Sequence, residues 1–298
     1  MLKLFNKYFG DIAENINRQS KNNLINYDDD NIDSQTHFME QAFNKPYPSM
    51  EYKCTTAKEI EQIIKFIKKK NSYGYNEIST KIVKVSCPFI SSPIYYICSK
   101  MLFWGVFPDI LKYAVIKPIH KNDDKCEVSN YRPVSLLTSF SKIFETVMQR
   151  RILKHLTKYN ILSTEQYGFR VGFRTDNATY KLTTEILNVM NNKQQLGRIF
   201  CDLEKTFDCV NHDIILSNLK FYGISDKDYQ LYQSYLGNRY CRTAIYDSEN
   251  SNNVSNWTRM RHGVPHGSIL GLLLFLVYIN DLPKTLDTEI IYTFLKQT

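Results

Sequence analysis

Apolar residues along this chain recur at two periods, and the switches between them mark the elements. Residues 1–18 (MLKLFNKYFGDIAENINR) repeat at helical spacing and predict an amphipathic helix. Residues 19–55 are polar, rich in Asn and Asp and interrupted by proline, which predicts a linker or a loose lobe. A helix then begins at Thr56, with Glu59 as its capping-box partner, and runs to about Lys70. Residues 89–104 predict a buried helix ended by Gly105 and Pro108, and 112–120 alternates with β-branched residues like a strand. Helices are expected over 139–158 and 175–191, a strand over 196–203, and helices over 211–221 and 226–237. Strands near 240–246 and 256–262 precede a last helix over 268–279. Helices mixed with mostly antiparallel strands predict an α+β architecture.

Composition narrows the class. At 298 residues and 43% hydrophobic, the chain can bury a sizeable core as one domain or two lobes. Its 7 cysteines are odd in number and contain no C-x-x-C pair, which argues against a zinc ribbon or a disulfide framework and for a reducing compartment. The N-terminus lacks a cleavable apolar region, and the apolar windows 88–104 and 268–279 are too short or too interrupted to span a bilayer. These features predict an intracellular protein without a membrane partner, in nucleus or cytoplasm.

Charge is placed unevenly along the chain. Residues 1–60 carry 7 basic and 9 acidic side chains, whereas residues 112–174 carry 12 Lys/Arg against 5 Asp/Glu. Tyr131, Phe140, Phe144, Tyr159, Tyr167, Phe169 and Phe173 are interleaved with that basic block, a composition that suits a polyanion with stackable bases and equally a solvated basic helix face. Asp202 ends the apolar run 196–203, just before the chain turns towards a helix. A carboxylate there is placed either to hold a divalent cation or to cap the helix that follows. Asp208, six residues on, is poorly spaced to share a strand face with it and is not assigned to metal.

From about Asn71 onwards the residues resemble the reverse transcriptase domain of non-LTR (LINE-type, jockey-like) retrotransposons. FPDILKYAVIKPIHKNDD…SNYRPVSLLTSFSKIFE (107–145) and ILSTEQYGFRVGFRTDNAT (161–179) resemble the fingers motifs of that family. FCDLEKTFDCVNHDIILSNLKFYGI (200–224) resembles its first palm motif, and HGVPHGSILGLLLFLVYINDLP (262–283) its Gly-rich palm motif. The order of four motifs makes the match far more specific than any one of them.

The resemblance implies a right-hand polymerase, α+β, with fingers and a partial palm and the thumb missing. The implied divisions are an N-terminal helix and linker over 1–55, a helical lead-in over 56–110, fingers over 111–195 and a partial palm over 196–298. It assigns Asp202, with the carbonyl of Leu203, to Mg²⁺ at the junction of RNA template, DNA primer and dNTP. Phe207 matches an aromatic steric gate against the ribose 2′-hydroxyl, although such a ring is equally at home in a core. Arg132 matches a fingers arginine whose planar fork grips the triphosphate, the alternative being a surface ion pair. Arg170 takes a less defined nucleotide or template contact, and Lys117 and Lys121 are the nucleic-acid-binding candidates. Gly263 to Gly267 would let the backbone approach the nascent base pair, since glycine has no Cβ.

Departures from the family pattern carry as much information. His266 stands where the family has glutamine, which removes the fixed donor–acceptor pair of an amide and is expected to weaken dNTP positioning. Leu272 replaces a usual proline and Thr206 a usual alanine. Lys296 and Gln297 fall where two catalytic aspartates belong. Two unit charges 4 Å apart interact by roughly 4 kcal/mol at an effective dielectric near 20, so a lysine there opposes a divalent ion. The chain is therefore expected to be an inactive, truncated polymerase. The alternatives are an active polymerase whose C-terminus is misread, and a nucleic-acid-binding remnant without chemistry. An incomplete palm is further expected to leave apolar surface exposed around Leu273–Ile279 and to promote aggregation.

Overall fold

In the computed structural model, residues 2–23, 39–41, 43, 47–51, 53–121, 123–170, 172–195, 197, 205–246 and 252–284 are described. In chain order the helices are α1 Leu2–Asn23, α2 Ala57–Phe66, α3 Thr80–Val85, α4 Cys87–Trp104, α5 Ser139–Lys158, α6 Thr175–Asn191, α7 His212–Phe221, α8 Asp226–Leu236 and α9 Leu270–Tyr278. The strands are β1 Tyr113–His120, β2 Tyr131–Leu136, β3 Arg239–Tyr246, β4 Asn252–Val254 and β5 Thr258–Met260. The α+β expectation holds for these residues. The expected strand at 196–203 lies outside them.

Local signals set the helix ends. The Thr56 hydroxyl accepts from Glu59 N–H at 3.1 Å, and Ile60, Ile63 and Ile64 supply the buried stripe of α2. This helix stops at Phe66 rather than Lys70. Ile67 turns to extended dihedrals (φ −56°, ψ 131°), and Thr80 Oγ1 bonds both Lys68 O (3.1 Å) and Lys70 N (2.9 Å), holding the lysine run out of the helix. Helix α4 ends as expected at Gly105, which has φ 67°. Arg151 of α5 grips Glu59 through two bonds of 3.1 and 3.0 Å and also donates to the carbonyls of Lys53, Cys54 and Val147.

A main core joins α2, α4, α5, α7, α8 and α9, with Ile143, Val147, Ile152, Leu156, Leu219 and Leu274 wholly buried. Leu273, Leu274, Phe275, Leu276 and Val277 are all buried within it, so the expected exposed patch around Leu273–Ile279 is not present. The cause is a long-range fit: α9 inserts between α5 and α7, and no local pattern announces that. Apolar surface lies instead along α4, where Phe89 is 82% and Trp104 59% exposed.

The sheet runs β2-β1-β3-β4, with β5 paired to β3. Strands β1 and β2 form an antiparallel hairpin, but β1 and β3 are parallel, an exception to the expected antiparallel pattern. That pairing is reached only through the long helical excursion between them. Helix α1 lies over one face of the sheet, packing Phe5 and Phe9 against Ile116 and Cys241. Asn6 Nδ2 fixes its register by donating to Thr258 Oγ1 at 2.8 Å.

Candidate active site

Three of the residues expected to carry chemistry, Phe207, His266 and Gly267, meet at the outer edge of β2. Asp202 and Leu203 lie outside the described residues, and the description resumes at the turn 205–208, where Asp208 N–H and Cys209 N–H donate to Lys205 O at 2.9 and 3.2 Å. Lys205 takes a left-handed φ of 48° and extends its ammonium to Ser129 O at 2.9 Å, pinning the turn to the β1–β2 connection.

The loop 263–268 wraps this turn. Gly263 N–H donates to Val210 O and Val264 N–H to Phe207 O, both at 2.8 Å, while Ser135 N–H of β2 donates to His266 O at 2.8 Å. Gly263 has φ 79°, and a Cβ there would stand 2.7 Å from Asp208 O and 2.8 Å from Phe207 O, so the close approach requires glycine. The Phe207 ring meets His266 and Phe169 edge-on at 5.1 and 5.7 Å and Phe275 at a tilt of 47° and 4.7 Å. Phe207, His266 and Gly267 are thereby held together against the strand that carries Arg132.

Asp208 is buried behind this cluster, with Oδ2 3.4 Å from His266 Nε2, and neither atom makes a hydrogen bond to a described residue. Arg239, 3% exposed, donates to Tyr235 O at 3.1 Å and stacks on the Tyr235 ring, and its Nη2 has no hydrogen-bond partner among the described residues. These groups, with His212 and His262, line a cavity of about 40 Å³. That volume is on the scale of one water molecule, in a setting polar enough to hold it.

Other candidates sit elsewhere. Arg132 faces Ile119 across the hairpin and Lys117 faces Val134, so both stand on the sheet face opposite the cavity lined by Ile116 and Ser135. Lys121 is exposed at the hairpin, its N–H donating to Asn130 O at 2.9 Å. Arg170 is committed to its own loop: it donates to Ser163 O and lies 4.3 Å over the Phe173 ring. Lys296 and Gln297 lie outside the described residues.

Asp202, the Mg²⁺ ligand that the sequence resemblance implies, lies outside the described residues. Among the described residues no three His, Cys, Asp or Glu side chains are grouped as metal ligands. Asp208, the described carboxylate in the cluster, is turned onto His266 beside the buried cation Arg239, a setting unsuited to a second cation. The described part of the site therefore does not by itself fit the metal.

Sequence reasoning missed three supports of this site. Glu145 is fully buried and accepts from Ile269 N–H at 2.7 Å. Asn280 accepts from Ser163 N–H at 2.7 Å and donates to Ile161 O and Tyr222 Oη. His212 bonds Gly263 O through Nε2 at 2.7 Å. A polar residue inside an apolar run was the available signal for Glu145 and Asn280.

Burial pushes His212 below the usual histidine range, against an opposing pull from the Gly263 carbonyl. The unfolded chain thus takes up this proton first, and the stability from neutral His212 is present above the ordinary value of 6.5 and lost as pH falls below it. Thermal unfolding should show wild type losing more stability than His212→Gln between neutral and mildly acidic pH. Parallel pH profiles for the two proteins would refute this assignment.

Known proteins resemble this chain in sequence. The family model for reverse transcriptase (RNA-dependent DNA polymerase) matches residues 119–295. A probable RNA-directed DNA polymerase from transposon BS of Drosophila melanogaster is 33% identical over 246 residues, covering 79% of this chain and 25% of that protein. A second, from transposon X-element of the same species, is 31% identical over 179 residues, covering 60% of this chain and 19% of that protein. The RNA-directed DNA polymerase from mobile element jockey, also of Drosophila melanogaster, is 27% identical over 249 residues, or 82% and 26% of the two chains. The chain spans about a quarter or less of the length of these relatives. Over more than half of its length, and through the same motifs that build the site, the chain belongs to the reverse transcriptase family, as a reverse transcriptase domain of a non-LTR retrotransposon.

Proposed function

We propose that this domain supplies fingers and palm elements of an RNA-directed DNA polymerase and binds an RNA template, a DNA primer and a dNTP. The observation that carries the reading is the convergence of Phe207, His266 and Gly267 on the edge of β2, the strand of Arg132. In this reading Phe207 bounds the sugar, His266 and Gly267 border the base pair, and Arg132 with Lys117 and Lys121 neutralises phosphates. Asp202 is the proposed Mg²⁺ ligand. With Lys296 and Gln297 in place of an aspartate pair, the chain as written binds its substrates without joining them.

Binding of a labelled RNA–DNA template–primer, titrated from low to high salt, tests the reading. The logarithm of affinity should fall linearly with the logarithm of salt, and Arg132→Ala should reduce the slope by about one. Absent or salt-insensitive binding would overturn it. Primer extension by the chain as written, abolished in Asp202→Asn, would overturn the inactivity alone.

A further inference from the structure

We propose that the sheet face opposite α1 is a second contact surface for single-stranded nucleic acid, formed by Tyr75, Tyr113, Tyr240, Arg242, Trp257 and Arg259. It rests on the polynucleotide-binding reading above and extends it along the sheet face of Lys117 and Arg132 to six residues given no role there. Strand alternation and register define the face: Tyr113 is paired with Tyr240, Val115 with Arg242, and Tyr240 with Arg259. The Tyr113 and Tyr240 rings stack at 5.4 Å with an interplanar angle of 16°. Trp257 stands edge-on to Tyr113 at 4.9 Å, and Tyr75 joins both at 5.6 and 6.0 Å.

Charge gives this face its occupant. The Arg242 guanidinium lies 4.6 Å over the Trp257 ring and its Nε has no acceptor among the described residues. Arg259 is exposed and donates to the neutral Asn238 Oδ1 at 2.8 Å. Among the described residues no carboxylate pairs with either arginine. Nor does this face of β1, β2, β3 and β5 carry an acidic residue, while it continues across the hairpin to Lys117 and Arg132.

The contrast with the other face is informative. That face is covered by Phe5 and Phe9 of α1 over Ile116 and Cys241, the ordinary way to bury a sheet. Here the layer is aromatic and cationic, and Trp257 remains 36% exposed. Ring faces beside guanidinium groups that no described carboxylate neutralises match the needs of a flexible strand, whose bases stack without sequence preference while its phosphates pair with arginine. A duplex hides its bases and offers such rings only its backbone.

The chain has 2 tryptophans, so Trp104→Phe leaves Trp257 as the sole indole reporter. Oligo(U) and oligo(dT) should each quench its emission, the pair of titrations showing whether RNA or DNA is preferred. In that background, Arg242→Gln with Arg259→Gln should weaken single-strand binding about 10-fold or more and lower the salt slope by about two. Far-ultraviolet dichroism and the unfolding midpoint would establish that the double variant is folded, and Trp257→Phe should retain most of the affinity that Trp257→Ala loses. Binding with silent Trp257 emission and an unchanged affinity in the folded double variant would overturn this surface while leaving the template–primer reading intact. Failure to bind oligonucleotide and template–primer alike would overturn both.

Discussion

Gly263→Ala is expected to destabilise the domain by about 3 kcal/mol or more and, with it, to remove the proposed dNTP binding. The residue sits at φ 79°, where an L side chain already costs roughly 1–2 kcal/mol. The added Cβ would meet Asp208 O at 2.7 Å, Phe207 O at 2.8 Å and Asp208 Cα at 2.9 Å. All three are backbone atoms, so the clash cannot be relieved by a rotamer change. It would be relieved by separating the 263–268 loop from the 205–208 turn, which breaks the bonds Gly263 N–H to Val210 O and Val264 N–H to Phe207 O. Those bonds hold Phe207 beside His266. Gly172→Ala is the natural control, because Gly172 also has positive φ (85°) but nothing lies within 4 Å of its Cβ position. For a chain of this size the first substitution should lower the unfolding midpoint by roughly 6–12 °C and the control by a few degrees. Equal midpoints for the two variants would show that the loop and turn are not packed as described.

Glu145→Ala should cost about 3–4 kcal/mol. Helix α9 has no side-chain cap of its own at Ile269, and the Glu145 carboxyl, projecting from α5, supplies one by accepting Ile269 N–H at 2.7 Å and Leu270 N–H at 3.5 Å. It also accepts from Ser141 Oγ at 3.0 Å. Alanine would leave these buried donors without a partner, and α9 leads directly from the loop that carries His266. Glu145→Gln keeps an acceptor and should cost about 1 kcal/mol. The two substitutions also differ in their pH behaviour. Burial raises the Glu145 pKa, the Arg239 charge opposing it, so the folded chain holds this proton more tightly than the unfolded one. The stabilisation that follows is complete below the ordinary value of 4.5 and is lost as pH rises through the raised value. The gap between wild type and Glu145→Gln should therefore narrow as pH increases, measured as the difference in unfolding midpoint. A gap that widened with pH would mean that the carboxylate is stabilised as the anion.

Much of the framework was legible along the chain because it depends on near neighbours. Thr56 and Glu59 mark the start of α2, Gly105 ends α4, and alternation in YAVIKPIH identifies β1. Each of these is a relation across a few residues, where backbone geometry and capping act. The family motifs were legible for a related reason: Phe207, Gly263 and Gly267 belong to short segments whose residue order carries the resemblance. Even so, the lysine run after Phe66 was read as helix, since the Thr80 hydroxyl that draws it away is ten residues distant.

The assembly of those segments answers to different physics. Asp208, not assigned to metal from the sequence, is buried against His266, because the 205–208 turn and the 263–268 loop close on each other. Glu145 caps a helix 124 residues away, and Asn280 anchors Ser163 from 117 residues away. The apolar stretch at Leu273–Val277, expected to be exposed, is enclosed by α5 and α7. Arg132 and Lys117 fall on one face of the sheet and the His266 cavity on the other, a division that strand alternation and the register of β1 on β2 bring about. Periods and caps are short-range and leave their mark on neighbouring residues. Which buried donor meets which acceptor depends on how the chain closes over a hundred residues or more, and it is settled only when desolvation forces each polar group to find a partner.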